Sequence, residues 1–524
     1  MRASQYRRRL DFCRDFRFYT GMRTTLATFA LSILLFFLGA TSLIGAPVVV
    51  DVSQSSGASA QSYQRKLIRD NHSYFWAFYF DGTDTRYKRS DDTTGASWTG
   101  ASQLFFAGNV QPSIWQDEDT VYVAFSDAGD ILVRRGVIQN GTITWSSPST
   151  ALDGGGMVSY ALATMCEDEN GFLWVAARTQ FFIWYYASAT RSTRPLDETS
   201  WQGAQTISAV GSSSSLYVLV VPLTRGDIYS VWNIQGTIAG KRYVAGTGWE
   251  STVTAIATGY SGDQQRLLSG VGDRDGRIHL LYVAQSGRPC YKRYGGSSWE
   301  NEQILSNAAA SCPTISINPS NLRTYALWME GRMVQCRSAV LPTVAGNWRS
   351  ESATPGNSRK SFLTSCYSST SRICWLFNQG GAAPYTLMFD GIAVARISVL
   401  VSKSAFAFGA QQLNAWLTAE TTLITNDGTW PEKAYGKLSG FMSSTFTWTI
   451  SAASNGPDRC RAQWSTVSSA GPWNNIAAYD SEFPIASNLG VANSITLYFR
   501  IQTPTSTSSY NEYASTLSVR AEDY

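Results

Sequence analysis

The sequence predicts an all-β chain: a seven-bladed β-propeller, with six blades as the alternative, followed by an immunoglobulin-like β-sandwich. Three observations predict it. Trp98, Trp145, Trp201, Trp249, Trp299 and Trp348 recur at intervals of 47, 56, 48, 50 and 49 residues, the period of one four-stranded blade. Seven short runs rich in aromatic and β-branched residues recur with the same period, bounded by Gly, Asp and Asn. The composition is 13% aromatic against 15% charged, which suits packed strands and argues against a disordered or helical chain.

The chain opens with seven arginines and two aspartates before residue 24, then runs uncharged from Thr24 to Val50. A basic segment, an apolar stretch and the small pair Gly45-Ala46 read as a secretory signal, although an uncharged stretch of this length also suits an N-terminal membrane anchor. Residues 1–46 are expected to be one or the other, and the protein to be secreted or held at the cell surface. Membrane contact is expected only through an uncleaved segment of this kind. Beyond residue 50, Lys plus Arg falls from 42 to 35 and Asp plus Glu from 38 to 36, a formal charge of −1. The basic balance thus belongs to the leader. A nucleic-acid partner, which needs clustered positive charge, is not expected.

Residues 47–399 are expected to hold the propeller. The second strands are read at Ser73–Tyr79, Val121–Phe125, Phe172–Ala176, Ile228–Trp232, Ile278–Val283, Thr324–Trp328 and Ile373–Phe377. An apolar segment precedes each and another follows, and the recurrent tryptophan opens a fourth strand. The seventh unit lacks that tryptophan, so Val48–Val52 is expected to complete its outer edge and remove an exposed strand. Seven cysteines follow the leader, an odd number with no C-x-x-C pair. Cys366 and Cys374 flank a predicted hairpin and are the best-placed pair for a disulfide. From about Ala395 the period stops. Residues 400–524 carry a second set of strand-like runs separated by Gly-, Pro- and Asn-rich turns, suited to the sandwich.

Ser90-Asp-Asp-Thr-Thr-Gly-Ala-Ser-Trp98 resembles the Asp-box of the sialidase superfamily with one residue inserted, and Asp197-Glu-Thr-Ser-Trp201 is a weaker copy. The resemblance covers the propeller repeats and implies that these turns are scaffold, on the face opposite the ligand site. The acidic clusters Asp117-Glu-Asp119, Glu167-Asp-Glu169 and Asp273-Arg-Asp275 fall on that same face and read as solvated turn carboxylates. His72 and His279 read as structural. No metal cluster, P-loop or dinucleotide fingerprint occurs, so no cofactor is expected.

The opposite face gathers the loops joining second to third strands and one blade to the next. A sialidase implies arginines converging on a carboxylate and a tyrosine nucleophile. Arg178, Arg266, Arg288, Arg332 and Arg359 are the arginines so placed, with Tyr260 as the tyrosine. The family's Arg-Ile-Pro is absent, with Arg69 only its nearest substitute, so no residue is assigned to catalysis. The expected function is glycan binding by an exported protein. The alternatives are an exo-glycosidase acting on acidic sugars and a propeller for protein–protein adhesion.

Overall fold

The computed structural model describes the strand Phe16–Tyr19 and residues 46–523, apart from 209–210, 212–215, 235, 261–267, 320–321, 341–346, 352–353, 355–357, 395–397, 404, 408–410, 429–430, 444–445 and 510–512. The signal-or-anchor segment falls almost wholly outside the described residues. Among those described, no helix is long and apolar enough to cross a membrane. The chain divides into two compact units, Ser42–Val394 and Ala395–Tyr524, the second taking in the strand Phe16–Tyr19.

Within Ser42–Val394 the described residues form seven antiparallel sheets in succession, each built on a path of four strands. Their first strands are Leu67–Arg69, Ser113–Asp117, Val158–Glu167, Val218–Pro222, Leu268–Gly272, Ala310–Asn318 and Lys360–Ser365. Each packs against the next, and Leu67–Arg69 also meets Arg372–Gln379 of the last sheet, so the first strands surround an axis. This is a β-propeller. Every run read as a second strand falls on one, from Phe75–Phe80 to Arg372–Gln379, two of them starting one or two residues before it. Aromatic and β-branched residues dominate these strands because both of their faces are covered by neighbouring sheets. In the last sheet Val48–Ser53 pairs with Tyr385–Ala393 and closes the outer edge.

The recurrent tryptophans are packing residues. Trp98 and Trp348 are buried, and the other four are partly buried against core clusters. Two share a turn geometry, Trp98 donating to Gly95 O at 3.0 Å and Trp201 to Glu198 O at 2.9 Å.

Two expectations are corrected. Cys366 and Cys374 form no disulfide, and all seven cysteines of the described residues are buried and unbridged. A backbone bond from Cys366 N–H to Cys374 O, 3.1 Å, holds the two side by side. However, Cys366 joins the core with Cys312 and Tyr325, while Cys374 joins the one with Leu67 and Phe75. The thiols therefore serve different inter-sheet cores.

The acidic turns are not simply solvated. Asp168 is buried and accepts from Asn170 N–H, Phe172 N–H and the Trp174 indole at 2.9, 3.0 and 2.8 Å. Asp273 accepts in the same way from Asp275 and Arg277, and pairs with His279 at 3.2 Å. Asp70 takes Tyr74 N–H and the Trp76 indole, both at 2.8 Å. Ser73, Gly171 and Gly276, three residues after each aspartate, take left-handed backbone with φ of 75°, 82° and 77°. A tight turn thereby aims its own carboxylate at the aromatic ring six positions on, because a buried polar group needs a partner. His279 is fully enclosed by Asp273, Tyr291 and Thr324, a structural histidine.

In Ala395–Tyr524 two sheets enclose one core, from Val401 and Ile424 to Leu517 and Val519.

Candidate functional site

The centre of the propeller is occupied by its own chain. Phe80 N–H donates to Ala58 O at 3.0 Å and Phe78 N–H to Lys66 O at 2.9 Å. Two positions on one strand thus face eight on its partner, and Ser59–Arg65 leaves the first sheet to enter the axis. Its polar groups are shared among the other sheets. Ser59 Oγ donates to Phe362 O at 2.5 Å, Gln64 Nε2 to Ala163 O at 2.8 Å, and Lys66 Nζ to Pro112 O at 2.8 Å. Arg65 reaches Gly270 O, Thr314 Oγ1 and Ser365 Oγ at 2.9, 3.2 and 3.2 Å.

The first strands are shaped to receive this segment. In three of them the register shifts at a bulge, and Leu162, Cys312 and Phe362 there take φ of 58°, 49° and 56°. Bulges re-aim a strand's polar groups. Here they present Ala163 O, Thr314 and Thr364 to the plug. Burial pulls the Lys66 ammonium down to about 7 and the Arg65 guanidinium down to about 10.

One end of the axis, called upper here, is where first strands begin and second strands end. There the Tyr63 ring of the plug packs against Tyr217, centroids 5.7 Å apart and tilted by 58°, with Leu162 against both. Tyr260 and Arg178 also lie close enough to act on the Tyr63 hydroxyl. Burial, then Tyr217, raises its pKa, and the Arg178 charge opposes them. Arg178 Cζ lies 4.8 Å from the Tyr185 ring centroid. Gln61 Oε1, Ser62 Oγ, Tyr63 Oη and Arg178 Nε are buried with no hydrogen-bond partner among the described residues. A buried polar group without a protein partner calls for a partner from outside the chain, such as a water or a ligand.

Further along the strands that carry Arg178 and Tyr185, the hairpin turn presents an apolar tip. Phe182 is 57% exposed, Ile183 70% and Trp184 43%, with Met157 beside them at 63%. Large apolar side chains grouped this openly mark a contact surface.

Of the site residues read from sequence, Arg178 and Tyr260 are therefore brought together around Tyr63. Arg288, Arg332 and Arg359 are exposed in turns of the fifth, sixth and seventh sheets, their carbonyls accepting from Ala284 N–H, Lys360 Nζ and Gly380 N–H. Arg266 lies outside the described residues. Sequence reasoning missed the plug itself, Tyr63, Tyr217 and the hairpin tip. The tip was legible as Phe181-Phe-Ile-Trp-Tyr-Tyr186, a hydrophobic run across a turn. Among the described residues no group of three metal-ligating side chains gathers.

No family model matches the chain, and no curated protein sequence does. Among solved structures it is similar to AofleA from Arthrobotrys oligospora, with 13% identity over 58% of this chain and 96% of that one, TM-score 0.38. It is similar to the NanB sialidase from Streptococcus pneumoniae, with 10% identity over 67% and 93%, TM-score 0.40. A fucose-specific lectin from Aleuria aurantia gives 13% identity over 53% and 93%, TM-score 0.35. Likeness at that level transfers neither ligand nor chemistry.

Proposed function

We propose that the upper face of the propeller binds glycans, and that the protein is an exported carbohydrate-binding protein rather than a hydrolase. The observation that carries the reading is the cluster at the axis: Tyr63, Ser62, Gln61 and Arg178 hold unmet hydrogen-bonding groups, and the strand that carries Arg178 runs on to the exposed Phe182 and Trp184. Sugars need both elements, polar groups for their hydroxyls and aromatic faces for their C–H surfaces. Export rests on the basic and apolar leader. Hydrolysis is the weaker reading, because among the described residues it is Tyr217, Arg178 and Tyr260, and no carboxylate, that act most strongly on the Tyr63 hydroxyl, whereas glycosidases work with a positioned acid.

A glycan array probed with the full-length protein tests this. Selective binding, reduced at least tenfold in Arg178→Ala with the fold intact, is the expected result. A blank array from folded protein would overturn it and favour protein adhesion through the hairpin tip. Release of sugar from a bound glycan would reinstate the hydrolase.

A further inference from the structure

The lower end of the same axis carries a cavity of about 270 Å³, lined by Arg65, Arg69, Trp115, Gln116, Tyr367 and Ser368 among others. Its floor is unusual electrostatically. Arg65 is buried, and three of its five N–H donors go to uncharged oxygens: Gly270 O, Thr314 Oγ1 and Ser365 Oγ. Its Cζ sits 5.4 Å from the Tyr367 ring centroid. Only Tyr367 and Cys366 act on its charge, and no carboxylate does among the described residues. Arg69, on the wall, is likewise held by neutral groups: Nε donates to Ser73 O at 3.2 Å and Nη1 to Ser371 Oγ. Burying a cation without a counter-ion costs several kcal/mol. The buried Arg65 and the half-buried Arg69 face one cavity, and together they call for an anion from outside the chain.

We propose that this cavity binds a small carboxylate-bearing molecule, its carboxylate held by Arg65 and Arg69 and its body against Trp115 and Tyr367. The planar guanidinium fork matches a carboxylate. The volume exceeds what a bare ion fills, since a single water takes up about 30 Å³ of liquid. Trp115 and Tyr367 meet edge to face at 4.9 Å and present the apolar surface such a body needs. The nearby Glu167 is turned to the Trp115 indole N–H at 3.3 Å, and burial pushes its carboxyl up to about 7, so below neutral pH it is mostly uncharged and does not supply the counter-charge. The site is independent of the upper face, which it adjoins only through the plug.

Calorimetric titration of the full-length protein tests the assignment, with glucuronate against its uncharged twin glucose, and inorganic phosphate as the bare oxyanion. Glucuronate is expected to bind and to raise Tm with concentration, as any ligand of the folded state does. Glucose and phosphate are expected to bind at least tenfold more weakly. Arg69→Gln should weaken glucuronate at least tenfold, while Arg178→Ala, at the other end of the axis, should leave it unchanged. If Arg69→Gln fails to fold, Trp115→Tyr serves instead and should weaken glucuronate several-fold. Equal binding of glucose, equal binding of phosphate, full affinity in the variant that folds, or loss on Arg178→Ala would each overturn the proposal. A blank glycan array would leave it standing.

Discussion

The turns of the sheets and the segment Ser59–Lys66 both bury polar groups, and they satisfy them over different ranges. In the turns the partner is local: Asp168 captures an indole six residues on, and Asp70 and Asp273 repeat the arrangement. In the plug the partner is remote. Gln64 reaches a carbonyl 99 residues away and Arg65 a hydroxyl 300 residues away. Local satisfaction can be copied from sheet to sheet, and losing one copy leaves the others intact. The plug exists once, and its bonds reach the second, third, fifth, sixth and last sheets. The comparison therefore ranks the consequences of damage.

The largest effect is expected from Gln64→Ala. It orphans Ala163 O, removes an acceptor from the buried Lys66 ammonium, and leaves a void at a fully enclosed position. An unsatisfied buried group and a cavity together should cost about 3–4 kcal/mol, read by urea denaturation. Asp168→Ala, which orphans donors in one partly exposed turn, should cost about 2 kcal/mol. Equal losses from the two variants would break the distinction between axis and turn.

A smaller effect, of opposite sign, is expected at Glu167, whose carboxyl is raised from 4.5 to about 7 first by burial and then by the neighbouring Asp117. Because the folded value lies above the unfolded one, its contribution to stability is full below pH 4.5 and is lost as pH rises through 7. The full shift would be worth about 3 kcal/mol, and exposure of this half-buried side chain reduces it to about 1–2 kcal/mol. Glu167→Gln keeps an acceptor for the Trp115 indole and removes the charge. The variant should match the parent near pH 4 and exceed it at pH 8. Identical pH profiles would show that Glu167 carries no penalty.

The difference between the two regions also explains what the sequence made legible. The repeated part announces itself: the tryptophan period and the seven aromatic runs place the sheets, and each run falls on a second strand. The same logic places Arg178 and Tyr260 on the upper face. The plug is hidden because Ser59-Ala-Gln-Ser-Tyr-Gln-Arg-Lys66 has the composition of a solvated linker. Only the first strands, three of which present Gly270 O, Thr314 and Thr364 to the axis, turn that composition into an interior one. The acidic turns misled for the same reason, since a carboxylate in a turn looks solvated until its buried ring partner is known. In Asp168-Glu-Asn-Gly-Phe-Leu-Trp174 the signal was present as a spacing, six residues from acid to indole with glycine between.

The smallest effect on stability belongs to the hairpin tip, where function should dominate. Trp184 is 43% exposed and its neighbour Ile183 more exposed still, so Trp184→Ser removes a half-buried indole rather than a core residue. Its stability should change by about 1 kcal/mol. Glycan affinity, measured by the same array and then by titration of the best hit, should fall at least tenfold if the indole is a stacking platform. The plug then acts as the rigid side of the site, fixing Tyr63 and Arg178, while the tip supplies apolar contact at little structural cost. A variant that loses several kcal/mol instead would show Trp184 to be a core residue. In that case the exposed aromatics would no longer support a binding face, and the polar cluster around Tyr63 would have to carry recognition alone.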